Sequence, residues 1–378
     1  MKPDELHNTI LTLDTHLDTP MYLTRPDFDI GVRHDPRQSG IKVDLPRMSD
    51  GGLDAAFFAV FVGQGPRTPE SNERARNRAL KIFGAIREMS EAFSERVELA
   101  FSPEDGDRIK RLGKRAIYMG LENGYPIGND LSLIQTYYDL GTRYITLCHN
   151  GNNDICDSAT APEGPEHNGL SDFGRQVVQE MNRLGMVIDV SHISKKSFYD
   201  AIEASQTPVA ATHSCAQALC DHPRNLDDAM LEKLAETGGV VQICILSAFV
   251  KQPDPYPERD QALKAFRKKF DQTTALSDLD QKAAMEEFRL INERFPPNLA
   301  AVKDAVDHVD HVVKVAGIDH VGIGTDFDGG GALRDCFDVS ELGNITAELI
   351  NRSYTEEQIA KIWSGNFMRV FSQVQGTK

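Results

Sequence analysis

Five short apolar runs in this chain carry, at or near their ends, residues that bind divalent metal ions. "MVIDVSH" ends on His192, "PVAATHS" reaches His213, and "LTLDTHLD" carries His16 and Asp18. "YMGLENG" carries Glu122 and "GIGTDFDGG" carries Asp326. Imidazole nitrogen and carboxylate oxygen are donors that suit zinc and similar ions. Residues two apart in an extended strand point the same way, so His16 and Asp18 can reach one ion. Glu122, beside Gly124, has two oxygens to share between two ions. The chemistry on offer is that of a metal-dependent enzyme.

Taken singly, each residue has a plainer reading. A histidine-x-aspartate pair is usually a satisfied core or surface pair, a lone buried histidine is usually structural, and Glu122 alone reads as an exposed turn glutamate. Asp328 competes with Asp326 as the carboxylate just beyond its strand. The coincidence of five strand ends is what weakens these readings. His7, His34, His167, His308, His311 and His320 lie in loops, helices or at strand starts and read as structural or solvated. His222 reads as a supporting or surface residue.

Something must bring these five runs together. Eight strand candidates can be counted: Thr12–Asp18, Ala55–Val62, Ala116–Glu122, Tyr144–His149, Val187–His192, Val209–His213, Gly239–Leu246 and His320–Asp326. Most lack clean alternation, as expected of strands buried on both faces. Between them lie helical patterns. Phe173, Val177, Met181 and Leu184 recur at helical spacing before Gly185, and Leu299, Val302, Val306, Val309 and Val313 form a second stripe. Thr355 and Gln358 fit a capping box that opens a helix through Ile359 and Trp363. The alternation predicts an α/β chain folded as a single (β/α)8 TIM-type barrel, residues 1–378, which delivers its strand ends to one face. A charged segment, 251–297, bracketed by prolines, reads as one or two helices inserted after the seventh strand on the catalytic face.

The chain of 378 residues has a formal charge of −16 and a pI near 5.1, which argues against a nucleic-acid or anionic-membrane partner. The best apolar run, Gly239–Val250, is too short to span a bilayer and contains Gln242. The amino-terminal residues lack the apolar core of a signal peptide. The expectation is a cytoplasmic protein, with export as the alternative. The six cysteines form no CxxC pair and read as free thiols.

Longer motifs make the reading specific. "DTHLDTP", "GLENG", "LCHN", "GLSDFGRQVVQEMNRLGMVIDVSHIS", "THSCA", "HPRNLDD" and "GIGTDFDG" run from near residue 10 to near 330, and "GNFMRVF" follows close to the carboxyl end. In these stretches the chain resembles the renal (membrane) dipeptidase family, peptidase family M19, of the amidohydrolase-like barrel group. Thr15 and Leu17 stand where relatives often have glycine and asparagine; the ligands are unaffected. Set against that resemblance, the insertion is longer and more charged than in the animal enzymes, which bears on substrate preference.

The resemblance implies a dipeptidase with two zinc ions per chain. His16, Asp18 and Glu122 would bind one, and Glu122, His192 and His213 the other, with Glu122 bridging. His149, closing the fourth strand, would contact the substrate carbonyl and stabilise the oxyanion. Arg224 would hold the terminal carboxylate, and Asp326 would move the proton of the nucleophilic water. The substrate implied is a small dipeptide with free termini, an L,D dipeptide among them, and family analogy extends to a homodimer. A plainer role for Arg224 is an ion pair with Asp227 or Asp228. Two rival functions are a related amidohydrolase acting on another amide, lactone or ester, and a non-hydrolytic metal-binding member of the family.

Overall fold

In a computed structural model, which describes residues 2–252, 254–270 and 278–376, nine parallel strands alternate with helices. They are β1 (Leu13–Leu17), β2 (Ala55–Phe61), β3 (Val97–Leu99), β4 (Arg115–Glu122), β5 (Thr142–Thr146), β6 (Val187–Asp189), β7 (Ala210–Ser214), β8 (Val240–Ile243) and β9 (Val321–Ile323). Eight of them form the ring, in the order β1-β2-β4-β5-β6-β7-β8-β9. This is the (β/α)8 barrel the alternation predicted. The ring closes at its carboxyl-terminal rim: Asp18 N–H donates to Phe327 O at 2.9 Å, and Asp326 N–H donates to His16 O at 3.0 Å.

The ninth strand, β3, was not expected. It pairs with Arg115–Ile117 of β4, and β5 takes over from Met119 onward. Three residues carry too little periodic signal to separate a strand from a loop. Several of the expected strands also end earlier than the sequence suggested, though β4 ends at Glu122 as expected and β7 reaches Ser214. β5 stops at Thr146 and β6 at Asp189, so His149 and His192 lie beyond their ladders rather than within them.

The floor of the barrel explains the aromatic residues of the strands. Phe57, Tyr118 and Tyr144 pack with Phe367 and Phe371, which come from the last helix, Asn366–Gln375. The helix thus plugs the bottom while the top stays open to the strand-end residues. Along β4, Ala116, Tyr118, Gly120 and Glu122 share one face by alternation. Gly120 has to be glycine, because a Cβ there would lie 2.1 Å from the Tyr144 ring.

Helix signals hold with small shifts. Asp172–Leu184 ends on Gly185 in the left-handed region, φ 69°, and Thr355 caps the helix Glu356–Ala360 with Gln358 returning the bond, while Trp363 lies in the π-helical turn Lys361–Gly365 that follows. Leu299 lies before its helix, which spans Val302–Ala316. The inserted segment holds two helices, Pro257–Lys269 and Asp278–Arg294, packed antiparallel. Arg259 bonds Asn292 at 2.8 Å and Lys269 pairs with Glu287. Its bracketing Pro253 lies outside the described residues. Among the described residues, no helix is long and apolar enough to cross a membrane, and all six cysteines are buried and free.

His308 shows how a structural histidine is satisfied. Its Nδ1 accepts from Ala216 N–H at 3.0 Å and its Nε2 donates to Val250 O at 2.8 Å, and burial holds its pKa below the ordinary value. The unfolded chain therefore takes up a proton there first, and this contribution to stability is lost as pH falls below about 6.5. Asp14 and Asp328, pushed up to about 6 and about 7 by burial, act in the opposite direction. The difference from a His308→Asn variant isolates the histidine. In urea unfolding at pH 7.5 the variant should be less stable by about 1–3 kcal/mol. The gap should narrow at pH 5.5; a gap that widens would contradict the assignment.

Candidate metal centre and active site

Glu122 is the hub of the rim. One oxygen, Oε1, lies 3.2 Å from His192 Nε2, 3.6 Å from His213 Nε2 and 3.9 Å from His149 Nε2. The other, Oε2, lies 3.5 Å from His16 Nε2, which is 3.7 Å from Asp18 Oδ2. Asp326 joins on the far side. Three groups interlock with ligand atoms close enough for a shared ion: His16, Glu122 and His213; Glu122, His149 and His192; and His16, Asp18 and Asp326. The sequence-selected residues thus lie together on one rim, with Arg224 against His213 and Ser214.

The ring nitrogens that face inward are acceptors. Asn150 Oδ1 takes His192 Nδ1–H at 3.1 Å and also the Thr160 hydroxyl. Thr212 Oγ1 takes His213 Nδ1–H at 2.9 Å while donating its own proton to Asp189 at 2.7 Å. Both Nε2 atoms therefore point lone pairs at each other across 2.9 Å, with a carboxylate oxygen beside them. Such an arrangement is repulsive unless a cation lies among the donors. Tyr144 OH supports His16 Nδ1 at 3.0 Å, and His16 Nε2 and Asp18 Oδ1 are buried without a hydrogen-bond partner. This donor set fits divalent metal: carboxylates and imidazoles, with the rings of His16, His192 and His213 each held by an outer partner.

Electrostatics agree. Burial, then the Arg224 charge and neighbouring imidazoles, drives His192 well below the ordinary histidine pKa; burial and the same neighbours do so for His213. Asp18 is pushed up by burial and by Glu122, and Asp326 by burial and by Asp18. Burial works against His16, yet Tyr144 and Glu122 raise it. A cation among these groups relieves the repulsion between the carboxylates and favours lone-pair imidazoles.

The backbone is bent to make the cluster. His192 (φ 70°), Asp326 (φ 62°) and Asn123 (φ 79°), next to Glu122, all adopt the left-handed region that side chains disfavour. Such strain costs of order 1–3 kcal/mol per residue and gathers at functional sites. Asp328 shares this conformation (φ 69°) but turns away, accepting from Thr19 Oγ1 at 2.7 Å and Lys42 N–H at 2.6 Å. Asp326, not Asp328, faces the cluster.

Arg224 pairs with neither Asp227 nor Asp228. Asp227 caps a helix and holds Lys195, and Asp228 holds His311. The guanidinium is buried over Phe249, donates to His213 O at 3.1 Å and Ser214 Oγ at 3.4 Å, and leaves Nε unpartnered. His222 stacks on Phe249 and stays out of the cluster. Burial, then Arg224, lowers the His149 pKa to about 4, so the ring is neutral at pH 7.

Sequence reasoning missed the outer partners Tyr144, Asn150, Asp189 and Thr212, and a buried Asp14 that accepts from His16 N–H, Thr325 N–H and the Thr325 hydroxyl. Asp14 and Asp189 were readable only as polar residues inside otherwise apolar strands.

A parallel barrel whose rim gathers four imidazoles and three carboxylates is the frame of a metal-dependent hydrolase. The model of the membrane dipeptidase family, peptidase family M19, matches residues 2–378, and the chain belongs to that family. It is a metallo-dipeptidase. Dipeptidase tcpJ of Claviceps purpurea is 33% identical over 355 residues, covering 92% of this chain and 73% of that protein. The probable dipeptidase PvdM of Pseudomonas aeruginosa shares 32% identity and a TM-score of 0.85, over 100% of this chain and 98% of that one. A metallopeptidase of Rhodobacter sphaeroides, solved with a phosphinate mimic of L-Ala-D-Ala, has the same fold at 22% identity and a TM-score of 0.75, covering 97% and 99% of the two chains.

Gly329 tests how tightly the carboxylates are held. A Cβ there would lie 2.0 Å from Asp18 Oδ2 and 2.3 Å from Asp326 Oδ1. Gly329→Ala should displace both and lower metal affinity about tenfold or more, with the circular dichroism spectrum unchanged. Metal titration with parental affinity would show that the carboxylates do not need their observed positions.

Proposed function

We propose that the chain is a binuclear zinc dipeptidase that cleaves dipeptides with free termini, L,D dipeptides among them. The observation that carries the reading is the division of Glu122. One of its oxygens faces His192 and His213 and the other faces His16, which adjoins Asp18. On this reading His16, Asp18 and Glu122 hold one ion and Glu122, His192 and His213 the other. Bound there, the ions would supply the Lewis acidity that makes water a nucleophile near neutral pH and polarises the peptide carbonyl.

The remaining groups divide the work. Arg224 brings a planar fork to a dipeptide's carboxylate, and its buried, unpartnered Nε favours an anion at that place. His149, neutral at pH 7, donates its N–H to the oxygen that gains charge as the carbonyl is attacked. Asp326, adjoining Asp18, takes the proton from the attacking water and returns it to the leaving amine. Its raised pKa favours such a shuttle. Cys244 Sγ, 3.7 Å from Asp326 Oδ2, packs against the same carboxylate.

Zinc-loaded protein should hydrolyse members of a panel of L,L and L,D dipeptides and act poorly on their carboxyl-terminal amides. Asp326→Asn should retain about two zinc ions per chain while turnover falls by about a hundredfold or more. Loss of metal together with activity would make Asp326 chiefly a ligand. No hydrolysis across the panel would overturn the reading.

A further inference from the structure

A cavity of about 470 Å³ lies beside the candidate metal centre, with His192 and Arg224 among its lining residues. Its other walls come from the loops after β5, β6 and β7, and none of the described residues of 251–297 lines it. Lys195, Lys196, Gln217 and Met230 line it as well.

We propose that this cavity receives the side chain of the substrate's carboxyl-terminal residue and selects an acidic one. The inference rests on the dipeptidase reading. There the terminal carboxylate lies on Arg224, and the side chain branches from the same Cα, so it must enter a space beside Arg224. The cavity is that space, with room for a side chain as long as glutamate.

Its charge sets the preference. Besides Arg224, which holds the terminal carboxylate, Lys195 and Lys196 bring two cations to the lining, and the helix Lys195–Ala204 begins there, capped by the neutral Ser194, with the positive end of its dipole at the cavity. Two carboxylates, Asp157 and Asp227, also line it, and both are engaged. Asp157 accepts from Glu166 N–H at 2.8 Å, His167 N–H at 2.9 Å and Gly169 N–H at 2.9 Å. Asp227 caps Met230 N–H at 2.9 Å and pairs with Lys195, while Lys196 pairs with Asp200 outside the lining. The lysines are more than half exposed, at 60% and 54%, so both can turn to a new anion without unfolding the loop.

The test compares kcat/KM of the zinc-loaded enzyme for L-Ala-D-Glu, L-Ala-D-Ala and L-Ala-D-Lys, with the L,L forms alongside. The acidic residue should exceed the basic one by about tenfold or more, and the double variant Lys195→Gln, Lys196→Gln should cut that ratio to about threefold or less. Turnover of L-Ala-D-Ala without an acid-over-base ratio would overturn this inference and leave the dipeptidase reading standing. A ratio that survives the double variant would also overturn it, since the selection would then lie elsewhere. Hydrolysis of none of the peptides would overturn both.

Discussion

One buried carboxylate, Glu122, faces four imidazoles at 3.2 to 3.9 Å. Hydrogen bonds alone cannot satisfy that crowd, because His192 and His213 have already committed their Nδ1 protons to Asn150 and Thr212. Their free nitrogens and the Glu122 oxygens are all electron-rich. Positive charge among them is the arrangement's natural complement, and the surrounding fold serves to hold the donors against their mutual repulsion.

The holding is distributed over the whole barrel. Glu122 is aimed inward by the alternation of β4, two residues beyond the glycine that admits the Tyr144 ring. Tyr144 in turn supports His16, and its ring packs on Phe57, which meets Phe367 of the last helix. An aromatic plug at the bottom of the barrel is therefore linked by contact to a metal-ligand candidate at the top. Asp189 performs a similar task on the opposite side, accepting from Thr146 at 2.5 Å and from Thr212, so that β5, β6 and β7 are tied beneath His213. Backbone strain at His192 and Asp326 is tolerated because these neighbours over-determine the geometry.

The barrel and the residues of the cluster were legible in the sequence because each leaves a local mark. Apolar runs ending in histidine or carboxylate announce strand ends, and the helical stripes between them announce a parallel sheet. What was not legible depends on space rather than order. Nothing in "DVSHIS" says that His192 leaves the ladder at Asp189 and turns into the left-handed region. Asp326 and Asp328 are likewise indistinguishable in "TDFDGG", and only the Thr19 and Lys42 contacts draw the second one away. Tyr144, Thr212 and Asn150 are ordinary residue types whose role comes from the ring they touch. The sequence also drew attention to the charged insertion as a specificity element, whereas the cavity beside Arg224 is built from other loops.

On the proposed reading, Glu122 is shared between two metal ions. This is tested most directly by counting zinc per chain by mass spectrometry in the parent and in Glu122→Gln, after equal loading and removal of free metal. About two ions are expected in the parent and at most about one, weakly held, in the variant, since an amide offers one neutral oxygen where the carboxylate offers two charged ones. Two firmly held ions in Glu122→Gln, or a single ion in the fully active parent, would contradict the reading.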